Sequence, residues 1–291
     1  MTLQRVLTAV VLIPVVVGLV LKAPTSIVTL AVALVSLLAL FEFFALGDAI
    51  GHRAYRFWTA TCALLLVYVQ YVAAIVPTVE FSNGLAIHRE IGRLVGRLPE
   101  IADVLFIFMM GIALLSIFTR RVQVEALPAA GISCSGFLLI AFPLSFAIRI
   151  HGAGKDGPWL LLYTLVIVWA SDTAAYFVGR AIGRFKLAPQ LSPKKTWEGS
   201  LAGFIASMAL AFLFERWLSA PLPQLLIVAA LGNVAGQLGD LAESAYKRSA
   251  GVKDSGTLLP GHGGILDRID ALILAIPVVW YYWNWFYLPR M

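Results

Sequence analysis

Nine predominantly apolar stretches, at roughly 6–21, 26–46, 57–76, 101–118, 132–150, 159–179, 199–218, 222–246 and 265–287, constrain this chain more than any other feature. A hydrocarbon core of ~30 Å takes ~20 apolar residues per helical crossing. Backbone groups in lipid must satisfy one another, which leaves helices and closed barrels, and the alternating pattern of a membrane barrel is absent. Of the 291 residues, 60% are hydrophobic and 13% charged, against about half and about a quarter in soluble domains. The expected fold is all-α: a polytopic membrane protein with about nine transmembrane helices. It divides into N-terminal transmembrane helices over 1–150 and a C-terminal transmembrane region over 151–291 that carries two polar, chemistry-bearing loops.

Arg5 followed by the first apolar run imitates a signal peptide, but no small-residue cleavage site follows, so a retained helix is expected. Pro14, Pro143 and Pro277 fall inside apolar runs and predict kinks. Arg89, Arg93 and Arg97, at four-residue spacing within 81–100, suit a short interfacial helix. The aromatic run Trp280–Tyr287 suits an interfacial belt. The net charge of +6 comes from basic residues in short loops between apolar runs, the pattern of charges that orient helices rather than bind nucleic acid. With nine crossings, 14 of the 22 basic residues fall on the side of the N-terminus, so the N-terminus is expected in the cytoplasm, with both polar loops. Cys62 and Cys134 lie in apolar runs without metal-ligand spacing, which argues against a zinc site or a disulfide framework.

Three polar constellations interrupt this pattern. Asp240, Glu243, Ser244 and Lys247 recur at i, i+3, i+4 and i+7 and share one helical face, with Arg248 beside them; they are a solvated cap or a site. Beyond Lys253 and Asp254, the turn Gly261-His262-Gly263-Gly264 leads into a helix with Asp267, Arg268 and Asp270. Asp267 and Asp270 lie within its first turn, where they complement the dipole or hold a hard cation such as Mg²⁺, whose shell a nucleotide phosphate would complete. The glycines permit close approach of backbone to an anion. His262 alone is more often a turn residue than a catalyst. Upstream, Asp172 sits inside an apolar run, as a functional group or a partner of Arg180. The loop LSPKKTWEGS follows, with Ser192 and Pro193 read as N-cap and N1 of a helix. Its amides, with Lys194, Lys195 and Thr196, would make a polyphosphate site or merely a basic orienting loop, and Glu198 a metal-shell or positioning carboxylate. No Walker A pattern occurs.

SAYKRSAGVKDSGTLLPGHGGILDRID, from Ser244 to Asp270, resembles the signature of the phosphatidate cytidylyltransferases, or CDP-diglyceride synthases. WASDTAAYFVGR, LSPKKTWEG and LQRVLTAVVLIP are also similar to stretches of that family, whereas most of the first half matches only in hydropathy. Tyr246 departs from the aliphatic residue or Phe usual at its place, on a different face from Ser244 and Lys247. The resemblance implies Mg²⁺-dependent transfer of CMP from CTP to phosphatidic acid in a bacterial cytoplasmic membrane, giving CDP-diacylglycerol and pyrophosphate. It implies metal ligands among Asp240, Asp267 and Asp270, with Asp172 and Glu243 further out. Lys194, Lys195, Lys247, Arg248 and Lys253 would clamp phosphates; Ser244, Thr196, Glu198, Asp254, His262, Gly263, Gly264 and Arg268 complete the site. An additional monovalent cation and a homodimer are left open. A CTP-dependent lipid kinase needs the same loops but moves the γ-phosphoryl group. A secondary transporter is disfavoured because no internal repeat is visible and the charges cluster in two loops.

Overall fold

The computed structural model describes residues 2–80, 99–119, 123–258 and 263–287. Its helices are α1 (Thr2–Lys22), α2 (Thr25–Ala49), α3 (Arg56–Glu80), α4 (Ile101–Phe118), α5 (Gln123–Gly136), α6 (Phe142–His151), α7 (Gly157–Ile182), α8 (Trp197–Phe214), α9 (Leu222–Ser249) and α10 (Leu266–Tyr282). A π-turn over Phe137–Ala141 fuses α5 to α6, and another over Trp283–Tyr287 prolongs α10. Among the described residues, eight helices are long and apolar enough to cross a membrane, and Val10–Lys22 is a shorter apolar helix. The expectation of about nine crossings therefore stands as eight such helices plus α1. The interfacial helix expected over 81–100, with Arg89, Arg93 and Arg97, falls almost wholly outside the described residues.

Two compact units emerge, Ala23–Gly154 and a second made of Met1–Lys22 with Lys155–Met291. In the first, α2, α3 and α6 pack together, and α4 lies against α3. Its core contains Leu40, Phe44, Leu66 and Ile148, with Phe108 and Phe137 stacked at 4.2 Å between ring centroids. Glu100 and Asp103 form a capping box that starts α4. The span expected at 132–150 begins earlier, at Gln123. Pro143 cannot donate to the carbonyl four residues back, and the helix widens just before it, where Phe142 N donates to Phe137 O. The position of the kink expected at Pro143 thus directly follows a π-turn.

In the second unit α7 runs along α8, and α9 packs on both α8 and α10. Small residues set these distances. A Cβ on Gly203 would lie 2.6 Å from Ser171 Oγ, and one on Gly239 would lie 2.5 Å from the carbonyl oxygen of Asp270. Backbone-to-backbone approach of this kind stands in for the hydrophobic drive that lipid cannot supply between helices. A buried ladder of side chains ties α7, α8 and α9: Asn233 Nδ2 donates to Ser207 Oγ at 2.8 Å, Ser207 Oγ to Ile167 O at 3.1 Å, and Gln237 Nε2 to Asn233 Oδ1 at 2.7 Å. Gln237 also meets Ser200 through its Oε1 and Nε2.

The LSPKKTWEGS loop departs from the expected helix start. Lys186–Ala188 (β1) and Ser192–Thr196 (β2) form an antiparallel hairpin, pairing Lys186 with Thr196 and Ala188 with Ser192. Ser192 precedes proline, which steers it away from helical geometry into the extended region. The N-cap falls four residues later, at Thr196, whose Oγ1 accepts from Gly199 N at 3.2 Å.

Candidate active site

Four structural pieces of the second unit bring the polar residues together: α7, the β1–β2 hairpin with the start of α8, the last turns of α9, and the segment from Lys253 to the first turn of α10. The sequence puts Lys195 one residue before the Thr196 cap, so the hairpin delivers its ammonium to the α9 face. There Lys195 Nζ meets Asp240 Oδ2 at 2.5 Å. The close passage at Gly239 sets Asp240 beside the Asp270 backbone, and the Asp270 carboxylate lies within electrostatic range of Asp240, Glu243 and Asp172. Asp172, on an exposed position of α7, lies in turn within range of Asp240, Lys195 and Arg268.

One turn along α9, Lys247 is held from both sides, by Glu243 Oε2 and by Asp267 Oδ1 at 2.6 Å. All three side chains are largely withdrawn from solvent, with 12%, 3% and 6% of the Lys247, Glu243 and Asp267 side chains exposed. The i, i+4 spacing read from the sequence thus does form a Glu243–Lys247 pair, and Ser244 is buried next to it. The other Asp267 oxygen, Oδ2, accepts from Ser255 N at 3.0 Å and Gly264 N at 2.8 Å. Gly263 makes this possible: its φ of +78° suits glycine, and a Cβ there would stand 2.6 Å from Asp267 Oδ2. Asp267 therefore fastens Ser255 and Gly264 to α10 and orients Lys247. Asp270 is engaged differently, with Oδ1 accepting from Ala271 N at 2.7 Å.

The remaining predicted residues surround this core. Lys194, Lys253, Asp254 and Arg268 are exposed and Thr196 is buried under the α8 cap. Arg248 donates to Leu191 O at 3.3 Å and Val252 O at 3.2 Å, tying the hairpin turn to the end of α9. Glu198 accepts from Arg184 N at 3.0 Å and Phe185 N at 3.2 Å, so it anchors the chain between α7 and β1. Gly264 is buried, and His262 lies outside the described residues. Gly239 and Gln237 had no place among the residues singled out from sequence. Glycine at a helix–helix contact carries no chemical signature of its own, although Gln237 stands three residues before Asp240 and shares its face.

Among the described residues, no group of three or more His, Cys, Asp or Glu side chains is arranged to hold a metal ion on its own. The donor set nonetheless fits Mg²⁺, which takes one or two carboxylates and fills its shell with water and substrate phosphate. Glu243 Oε1 is buried without a hydrogen-bond donor, and Oε2 meets Lys247 as an ion pair without hydrogen-bond alignment. A buried carboxylate so poorly satisfied, within range of Asp270 and close to Asp240, leaves negative potential that a cation would neutralise. Carboxylates alternating with ammonium groups are an arrangement for a polyanion bound with a divalent ion.

The sequence matches known proteins at this level as well. Over 146 residues the chain is 41% identical to the phosphatidate cytidylyltransferase of Bacillus subtilis, covering 50% of this chain and 54% of that protein. It is 48% identical to the Haemophilus influenzae phosphatidate cytidylyltransferase over 133 residues, 44% of this chain and 46% of the relative. The Brucella suis enzyme of the same name is 42% identical over 157 residues, 53% and 55% of the two chains. The matched part spans about half the length of each of these curated relatives. The model of the Cytidylyltransferase family, by contrast, runs through residues 3–286, taking in both the membrane helices and the charged cluster, and on that match this chain belongs to the cytidylyltransferase family.

Proposed function

We propose that this protein is a phosphatidate cytidylyltransferase, joining the CMP moiety of CTP to phosphatidate to give CDP-diacylglycerol and pyrophosphate. The observation that carries the reading is a pair of neighbouring ion-pair groups, Lys195–Asp240 and Glu243–Lys247–Asp267, which meet the same face of α9. Family membership and the names of the relatives support it. A phosphomonoester has a second pKa of about 6, so the lipid phosphate is largely a dianion near neutral pH and attacks without a strong protein base. Its oxygen bonds to the α-phosphorus of CTP while the bond from that phosphorus to the α–β bridging oxygen breaks, and the electron pair leaves with pyrophosphate.

The protein's share is positioning and charge stabilisation. Lys194 and Lys195 on the hairpin receive the polyphosphate, and Lys195 exchanges Asp240 for a phosphate oxygen. Lys247, oriented by Glu243 and Asp267, faces the charge that builds on the leaving group. Arg248, Lys253 and Arg268 supply peripheral positive charge for the two anionic substrates, and Asp172 balances it on the α7 side. Mg²⁺ would be held by Asp240 and Asp270, and by Asp267 only where Lys247 yields Oδ1; when bound it neutralises phosphate charge and fixes the angle of displacement. The basic-residue bias supports a cytoplasmic N-terminus and a site open to the cytoplasm.

The test is incubation of the purified protein with Mg²⁺, phosphatidate and CTP labelled separately at the α and γ phosphates. α label in the lipid with release of pyrophosphate is the expected result. γ label in the lipid would make the protein a CTP-dependent lipid kinase instead.

A further inference from the structure

The unit over Ala23–Gly154 has a cavity of about 920 Å³ of its own, where the end of α2 meets the start of α3 and the side of α4. We propose that it binds the phosphate-bearing headgroup of an anionic membrane phospholipid. Asp48, Gly51, Arg53 and Arg56 line its polar part, and Phe57, Trp58 and Leu115 are among the residues of its apolar part. Arg53 and Arg56 bring two guanidinium groups to this lining, and Arg56 pairs with Asp48 across the α2–α3 corner with each side chain about one-third exposed. Arg56 is also the first residue of α3, where the helix dipole favours an anion and disfavours a cation. Asp48, in the last turn of α2, has the reverse mismatch. The two side chains compensate each other, and a phosphate placed at the α3 terminus would relieve the arginine's mismatch while satisfying first-turn amides. Guanidinium groups suit phosphate oxygens through paired N–H donors.

The apolar part is firm rather than adaptable. Trp58 Nε1 donates to Phe108 O at 3.1 Å, and the indole lies so close to Gly111 that a Cβ there would come within 2.0 Å of it. Tyr55 is pinned by Ser133 Oγ at its amide and Ser116 Oγ at its hydroxyl. Phe57 at the rim is 86% exposed, and Ile117 and Phe118 near it are 71% and 77% exposed, an apolar surface along which acyl chains can lie while the headgroup sits at the arginines. Positive charge beside a fixed aromatic wall at the end of a spanning helix suits an anionic amphiphile and not a soluble anion alone.

The experiment uses the full chain in detergent, with phosphatidylglycerol carrying a photoreactive acyl chain, and maps the labelled peptides. Labelling of the 53–61 and 111–118 peptides is expected, with at least ~10-fold less in Arg53→Gln/Arg56→Gln, a loss typical of removing phosphate-directed hydrogen bonds. Phosphatidylcholine carrying the same chain should label these peptides no more than the rest of the surface. Leu115→Trp, which narrows the apolar part of the cavity and keeps both arginines, should also reduce the labelling, and it separates loss of the site from misfolding of the double variant. Undiminished labelling in both variants, or equal labelling by phosphatidylcholine, would overturn the proposal. Displacement by millimolar inorganic phosphate as effective as by unlabelled phosphatidylglycerol would show a site for free phosphate and overturn the lipid assignment.

Discussion

Asp267 and Asp270 look interchangeable in the linear sequence, yet the structure gives them different work. Asp267 takes donors from Lys247, Ser255 N and Gly264 N, whereas Asp270 takes one from Ala271 N. Removing Asp267 leaves Lys247 with Glu243 alone and strips the Ser255 and Gly264 amides of their acceptor, at about 1–3 kcal/mol for each buried donor left unsatisfied. Asp267→Ala should therefore lower the thermal unfolding midpoint in detergent as well as the turnover. Asp270→Asn should keep the midpoint near wild type, reduce turnover roughly 100-fold, and raise the Mg²⁺ concentration needed for half-maximal rate. Equal midpoints for the two variants would contradict this division. The lysines divide similarly: Lys194→Ala, at an exposed hairpin position, should mainly raise the KM for CTP, while Lys247→Ala should mainly lower kcat. Steady-state kinetics with CTP varied at saturating phosphatidate distinguish these outcomes.

At the scale of elements, glycines decide how near the charged helices come. Gly239 has the Asp270 carbonyl 2.5 Å from its would-be Cβ, but Gly236, one turn earlier, has nothing closer than 3.4 Å. Gly239→Ala must push α9 away from α10 and separate Asp240 from Asp270; Gly236→Ala should be tolerated. Activity at fixed protein concentration should fall at least ~10-fold in the first and stay within about twofold in the second, since a misplacement of 1 Å can cost 10²-fold. A second pair probes the polar segment. Gly251 and Gly263 both have positive φ, but only Gly263 lies against another group, the Asp267 carboxylate. Gly251→Ala should cost about 1–2 kcal/mol of backbone strain and little else. Gly263→Ala should add a loss of catalysis, seen as kcat falling further than the unfolding midpoint explains.

For the whole molecule, the decisive quantity is the side of the membrane on which the site opens. Gln190 in the hairpin turn and Thr257 in the segment after α9 are both exposed, and Cys62 is buried. Single cysteines at these two positions, in a background with Cys62 and Cys134 replaced by serine, should resist a membrane-impermeant maleimide in intact cells. They should react in inverted vesicles. Labelling of either in intact cells would reverse the proposed orientation. Opposite labelling of the two would place the hairpin and the 253–258 stretch on different sides, contrary to the Lys195–Asp240 and Lys247–Asp267 contacts.

The long apolar helices were legible in the sequence because lipid leaves the backbone so little choice: apolar length is enough to assign them, as α2, α4 and α9 illustrate. Residue spacing also sufficed to put Asp240, Glu243, Ser244 and Lys247 on one face, since helical periodicity is local. What lay beyond local rules depended on packing. Ser192-Pro193 read as a helix start and became a strand, because the hairpin pairs Lys186 with Thr196 and the true cap lies at Thr196. Glu198 read as a metal-shell or positioning carboxylate, and only the tertiary structure shows it accepting from two backbone amides preceding β1. The joining of Lys195 to Asp240, and of Lys247 to Asp267, spans separate elements, and Gly239 sets how near α9 comes to α10. A glycine's absent side chain says nothing about which backbone will approach it, so only the tertiary structure could decide which charges meet.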